Sequence, residues 1–170
     1  MIYFRILFLV LWISICSISG LALSLVFWGN TNLNHWFGRL FYWGAAWVCR
    51  CRVEVEGVEN LEIRQPCIYV ANHQSAFEVV TFGRIYPRNT VVVGKKELLY
   101  IPLFGLFFKA AGNIPVDRKR RVSAISDLKA VSEQVRKRQV SVWIFPEGTR
   151  NRSDQPLMPF KKGAFYMALS

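Results

Sequence analysis

Residues 6–28 run without a charged side chain and are rich in Leu, Ile, Val and Phe. As a helix such a run measures ~35 Å at 1.5 Å per residue, enough to cross a hydrocarbon core of ~30 Å with some tilt. A secretory signal peptide is the competing reading, since Arg5 precedes the apolar stretch. The run is long, however, and no clear small-x-small cleavage site follows it, so an uncleaved anchor is expected. Residues 33–49 carry His35, Arg39 and the aromatics Trp36, Phe37, Phe41, Tyr42, Trp43 and Trp47. That mixture suits a headgroup layer, where amphipathic rings keep a polar edge wet and Arg39 reaches phosphates. One spanning helix and a two-helix hairpin dipping into one leaflet both fit these residues.

After Arg52 the texture changes to short β-like runs alternating with helical ones, which predicts an α/β domain over residues 51–170 behind an anchor at 1–50. VEVEG at 53–57 alternates as a strand and turns at Gly57. CIYVA at 67–71, TVVVG at 90–94 and SVWIF at 141–145 read as buried strands, being short and β-branched. Between the last two lie an apolar stretch at 98–111, interrupted by Pro and Gly, and a basic helix over roughly 119–138. Val122, Ile125, Leu128, Val131 and Val135 fall at three- and four-residue steps and give that helix an inward face.

Charge sharpens the division. Lys and Arg number 22 against 11 acidic residues, yet 52% of the 170 residues are hydrophobic, too apolar for a disordered basic tail. An anionic and partly apolar partner is implied. Residues 1–50 hold only Arg5, Arg39 and Arg50 and no acid. Because Arg39, Arg50 and Arg52 outnumber Arg5, the positive-inside rule places the body in the cytoplasm. Cys16, Cys49, Cys51 and Cys67 show no metal-site spacing and are read as reduced thiols.

CIYVA runs into Asn72-His73-Gln74-Ser75-Ala76-Phe77-Glu78, a His-x4-acid arrangement at the carboxyl end of a strand, where α/β sheets place ligands. In one continuous helix, five steps at 100° would set His73 and Glu78 ~140° apart. Pairing therefore requires His73 in the turn before a helix, Ser75 as N-cap and Glu78 in the first turn. Glu78 would then fix the imidazole tautomer and leave the other nitrogen as a general base. On spacing alone, a core or capping histidine fits equally well. SVWIF ends in Pro146-Glu147-Gly148-Thr149-Arg150, a turn displaying an acid and an arginine. Gly112-Asn113-Ile114-Pro115-Val116-Asp117-Arg118 and Lys161-Lys162-Gly163 read as further loops. Arg118 and Arg150 suit bidentate phosphate binding, with Lys161 or Lys162 as a point charge. The basic runs 119–121 and 136–138 read first as a solvated helix surface, with anionic lipid as the alternative.

In that order and at those intervals, NHQSAFE, KKELLYIPLFG, GNIPVDR, FPEGTR and FKKGAF resemble the successive blocks of the 1-acylglycerol-3-phosphate acyltransferase family. The resemblance covers residues from about 53 onward, and the combination of blocks is far more specific than any one of them. It implies an α/β fold with a mixed sheet flanked by helices, behind an anchor of one or two helices. It also implies transfer of a fatty acyl group from acyl-CoA or acyl carrier protein to the sn-2 hydroxyl of 1-acyl-glycerol 3-phosphate, giving phosphatidic acid, with no cofactor or metal. His73 would be the base and Glu78 its orienting acid. Arg118 in the second block, Glu147, Gly148, Thr149 and Arg150 in the third, and Lys161 beyond would hold the glycerol phosphate. The implied partners are a lysophosphatidic-acid-type acceptor, the acyl donor and membrane lipids, at the cytoplasmic face of a membrane, in a bacterium the inner one.

Two features depart from the family pattern: the orienting acid, normally Asp, is Glu78, and the chain ends at Ser170, before a further strand and a proline-containing block. An incomplete sheet and a donor pocket lacking a wall are therefore expected, with Phe160, Phe165, Tyr166, Met167 and Leu169 short of cover. Other acceptors, such as glycerol 3-phosphate or another lysolipid, and a catalytically impaired membrane-binding member of the same fold are the alternatives. Nucleic acid is not expected as a partner, since the aromatics cluster in the anchor rather than among the basic residues.

Overall fold

The computed structural model describes residues 2–61, 66–75, 77–117 and 124–169. Four strands, β1 (Ile68–Val70), β2 (Thr90–Lys95), β3 (Ile114–Val116) and β4 (Ser141–Ile144), form one sheet in the order β1-β4-β2-β3. All its pairings are parallel, so over the described strands the expected mixed sheet is a parallel one. Among the described residues six α-helices accompany it: α1 (Ile2–Val26), α2 (Asn32–Cys49), α3 (Glu78–Ile85), α4 (Phe104–Ala110), α5 (Ala124–Arg138) and α6 (Gly163–Leu169).

The strand period of two sorts the sheet into two faces. Val91, Val93, Val142 and Ile144 point to one side and form a core with Ile114, Val131, Val140, Ala164 and Met167, contributed largely by β3, α5 and α6. Val92, Trp143 and Phe145 point to the other side, toward α2, α3 and α4. Every residue of β4 is buried, as expected of a strand with a neighbour on each side.

Several sequence expectations change here. The alternating VEVEG segment pairs with no strand among the described residues: it runs as largely exposed irregular chain and leads into a 3-10 turn at Val58–Leu61. Its valines alternate with glutamates, yet among the described residues no strand is hydrogen-bonded to it. Conversely, Ile114–Val116, read as a loop, is a strand. It lies at the sheet edge, where Pro115, lacking an N–H, is tolerated. Of the inward face of α5, Val131 and Val135 pack on the core, while Val122 and the side chains of Ile125 and Leu128 lie outside what is described. Arg138, expected on a solvated surface, turns inward and donates to the Gly112 carbonyl at 2.8 Å, and burial lowers its pKa.

The two N-terminal helices form an antiparallel hairpin turned at Gly29, whose φ is +74°. Phe8 meets Trp47 with ring centroids 5.2 Å apart, and Trp12 Nε1 donates to the Leu40 carbonyl at 3.1 Å. The second half of α1 docks on the domain through Cys16, which packs with Leu33, Phe37, Phe107 and Ala111. Helix α2 crosses α3 so closely that a Cβ placed on Gly83 would sit 2.2 Å from the Gly38 carbonyl oxygen. Asn34 on α2 donates to the carbonyls of Thr90 and Ala111 at 3.1 and 3.2 Å and accepts from Asn113 Nδ2 at 2.9 Å. Asn113 Oδ1 in turn accepts the Val92 N–H at 2.9 Å. His35, expected in the headgroup layer, is buried, its Nδ1 bonded to the Tyr86 carbonyl. Helix α2 is thus built into the wall of the α/β domain, while Trp36, Trp43 and Trp47 on its far side are exposed.

Candidate active site

Because β1 and β4 are parallel neighbours, with Val70 opposite Ile144, the loops after them leave the same edge of the sheet side by side. One carries His73 and the other Glu147 to Arg150. Helix α3 begins at Glu78, five residues after His73, and turns that acid back over the loop.

His73 Nδ1 is hydrogen-bonded to Glu78 Oε2. With Glu78 as a carboxylate, which only accepts, the neutral imidazole that fits this contact has its proton on Nδ1 and its lone pair on Nε2. The other oxygen, Oε1, accepts the backbone N–H groups of Gln74 and of Ser75, the latter at 2.8 Å. Glu78 therefore holds both the imidazole and the backbone beside it, and the extra methylene relative to Asp still permits the pairing. Ser75 does not cap α3 itself. Its Oγ accepts the Phe77 N–H at 3.1 Å and tightens the turn before the helix. The imidazole also stacks on Phe145, centroids 4.3 Å apart and planes inclined by 20°.

The second loop begins with a β-turn in which the Gly148 N–H donates to the Phe145 carbonyl at 3.0 Å. Gly148 has φ +70°, the left-handed region that glycine enters without steric cost. Thr149 and Arg150 are exposed beyond it. Lys161 is also exposed, and its N–H donates to the Pro146 carbonyl at 2.8 Å. Its side chain lies across the turn, so that a Cβ on Gly148 would be 2.7 Å from Lys161 Nζ. Glu147 behaves differently: only 1% exposed, it accepts the His73 N–H on Oε1 at 2.7 Å and the Met158 N–H on Oε2 at 3.2 Å. Arg118 lies outside the described residues; Val116, two positions earlier, ends β3.

A feature the sequence reading missed adjoins the pair. A cavity of about 180 Å³ between the sheet and helices α2, α3 and α4 has Glu78 and Phe145 in its wall. The rest of the lining is mostly aromatic, including Phe37, Phe82, Phe104 and Trp143. Tyr86 also lines it, donating to the Thr90 carbonyl at 3.2 Å. Burial pushes its phenol well above the ordinary range, so it stays a neutral donor. The available signals were the parity of Trp143 and Phe145 along the SVWIF run and the i, i+3, i+4 spacing of Phe104, Phe107 and Phe108.

Comparison with known proteins bears on the family. The family model described as Acyltransferase matches residues 52–170. The chain is 42% identical over 140 residues to the 1-acyl-sn-glycerol-3-phosphate acyltransferase of Salmonella typhimurium, an overlap of 82% of this chain and 54% of that protein. It is 38% identical over 170 residues to the enzyme of that name from Saccharomyces cerevisiae, covering 98% of this chain and 56% of that one. The alpha form from Mus musculus is 39% identical over 131 residues, or 77% of this chain and 46% of that protein. The chain thus spans about half the length of the curated relatives it matches. No solved structure matches it. With a family model covering its whole α/β part and relatives of this identity on either side of the bacterial–eukaryotic divide, the chain belongs to the acyltransferase family.

Proposed function

We propose that this protein transfers a fatty acyl group from a thioester, acyl-CoA or acyl carrier protein, to the sn-2 hydroxyl of 1-acyl-glycerol 3-phosphate. The observation that carries the reading is the His73–Glu78 pair, joined through Nδ1, which in the neutral imidazole assigns the proton-accepting role to Nε2. In this reading Nε2 takes the proton from the acceptor hydroxyl as its oxygen attacks the thioester carbonyl. The tetrahedral intermediate then collapses, the ester C–O bond is kept, the C–S bond breaks, and the thiolate recovers the proton from the imidazolium. Glu78 stabilises that cation while it lasts. The aromatic cavity behind Phe145 and Glu78 takes the apolar chain, and Arg150 and Lys161, with Arg118 from the second block, hold the phosphate. Membranes carrying the protein, supplied with labelled 1-acyl-glycerol 3-phosphate and acyl-CoA or acyl carrier protein, should form phosphatidic acid. No product with either donor, or equal acylation of glycerol 3-phosphate, would defeat the proposal. Arg150→Ala should raise the acceptor KM by roughly ten- to a hundredfold, the worth of one charge-assisted hydrogen bond, and leave the donor KM in place. A change in donor KM instead would move Arg150 to the other substrate.

We further infer that the N-terminal hairpin enters one leaflet from the cytoplasmic side. Helix α1 is long and apolar enough to cross a membrane. Its Cys16, Ser17, Gly20 and Ser24 are buried, however, Cys16 and Gly20 against Phe37 of α2 and Phe107 of α4, so a full crossing would draw the domain into the bilayer. Arg5 and Arg50 border one groove, which sets Arg5 at the same end as Arg50 and Arg52. All three then favour the cytoplasmic side. In sealed vesicles of known orientation, an impermeant thiol reagent should reach Tyr3→Cys and Cys51 from the same side. Labelling of Tyr3→Cys only from the opposite side would establish a single crossing.

A further inference from the structure

We propose that Glu147 is a positioning residue for His73 and does not touch the acceptor. The family resemblance places this acid among the groups holding the glycerol phosphate, but its surroundings favour another role. Its side chain is 1% exposed, beneath the turn that displays Thr149 and Arg150. Both its oxygens accept backbone N–H groups, from His73 and from Met158. A carboxylate so placed repels a phosphate and has no solvent-facing oxygen to offer a hydroxyl.

What Glu147 grips is the backbone of the proposed base. On the carbonyl side of the same residue, the Asn151 N–H donates to the His73 oxygen at 2.6 Å. The second loop therefore clasps His73 through its N–H, its carbonyl and, by way of Phe145, its ring. Glu78 fixes the ring rotation, and Glu147 fixes where the ring starts from. Two loops that belong to different strands become one unit, so Nε2 is set relative to Arg150 and Lys161. The role requires two acceptor atoms. Glutamine has one, and its amide NH2 would face one of the two N–H groups, donor against donor.

This proposal rests on His73 being the base, and its test separates the two. In membranes carrying the full chain, Glu147→Gln should lower kcat about 10–100-fold, the effect of a misplaced reacting group. Acceptor and donor KM should stay within about twofold, the pattern of an interaction realised only in the transition state. Glu147→Asp keeps both oxygens and should recover part of the loss. A raised acceptor KM at unchanged kcat, in either variant, would overturn the proposal and return Glu147 to the substrate. A second readout is independent of turnover: the rate at which diethyl pyrocarbonate modifies His73, followed by mass spectrometry. That rate should change several-fold in Glu147→Gln and not in Glu133→Gln, which lies exposed on α5. Unchanged His73 reactivity in Glu147→Gln would overturn the proposal even in a protein that acylates no lysolipid, the result that would separately remove the proposed function. Should Glu147→Gln fail to accumulate in membranes, Glu147→Asp decides by the same division between kcat and KM.

Discussion

Replacing His73 with alanine should cut turnover by about 10²–10⁴-fold, the usual contribution of a general base, with attachment to the membrane unchanged. The acceptor alcohol is a weak nucleophile, and a thioester, though activated, is not attacked by it at a useful rate unless its proton is removed as the bond forms. The substitution should leave the fold in place. Glu78 keeps its bonds to the N–H groups of Gln74 and Ser75, and the His73 backbone keeps those to Glu147 and Asn151. Binding of both substrates should persist, so the loss should appear in kcat and little in KM. Phosphatidic acid formation in membranes measures it, and a His73→Ala enzyme with wild-type turnover would show that the base lies elsewhere.

Glu78→Ala should be nearly as damaging, with a loss of about a hundredfold or more, because removing an orienting carboxylate leaves the wrong tautomer accessible and the imidazolium unstabilised. Here the orienting group also pins the loop backbone, so the alanine variant loses the imidazole bond together with both N–H bonds. Glu78→Asp keeps two oxygens and is the acid the family resemblance implies at this position. It should stay within about tenfold of the parent, since only the reach of the side chain changes. Parallel rates for Glu78→Ala and Glu78→Asp would mean that the carboxylate has no part in orienting His73, and the kinetic comparison of the three enzymes decides it.

The parts of the site legible in the sequence are those built from neighbours along the chain. His73 and Glu78 are five residues apart, and the helical step alone shows that they pair only if a turn precedes the helix. The strands TVVVG and SVWIF declare themselves by β-branched runs because they are buried on both faces. Pro115 hid β3, since proline argues against a strand everywhere except at an edge, and edge position is a property of the finished sheet. Alternation at 53–57 misled for the reverse reason: a strand exists only where a partner lies alongside. The cavity was unreadable because its wall is assembled from α2, α3, α4 and β4, segments distributed over more than a hundred residues. The burial of Glu147 was not legible, because a Pro/Gly turn normally displays its residues; the neighbouring strand's loop, resting on that turn, covers this one.

The asparagine bridge between Asn34 and Asn113 has a thermodynamic consequence. Excising α2 would remove the Asn34 bonds to the Ala111 carbonyl and the Asn113 amide, take from the Thr90 carbonyl one of the two donors that reach it, and open one side of the cavity. A catalytic body made soluble by trimming the first fifty residues is therefore an unfavourable target for engineering. A bilayer that took up α1 would stabilise the fold only so far as it bound the docked hairpin more tightly than the same helix released from the domain, since only the difference in binding adds to the folding free energy. The buried asparagines Asn34 and Asn113 thus make the second N-terminal helix part of the folding unit of the α/β body, and not an appendage to it.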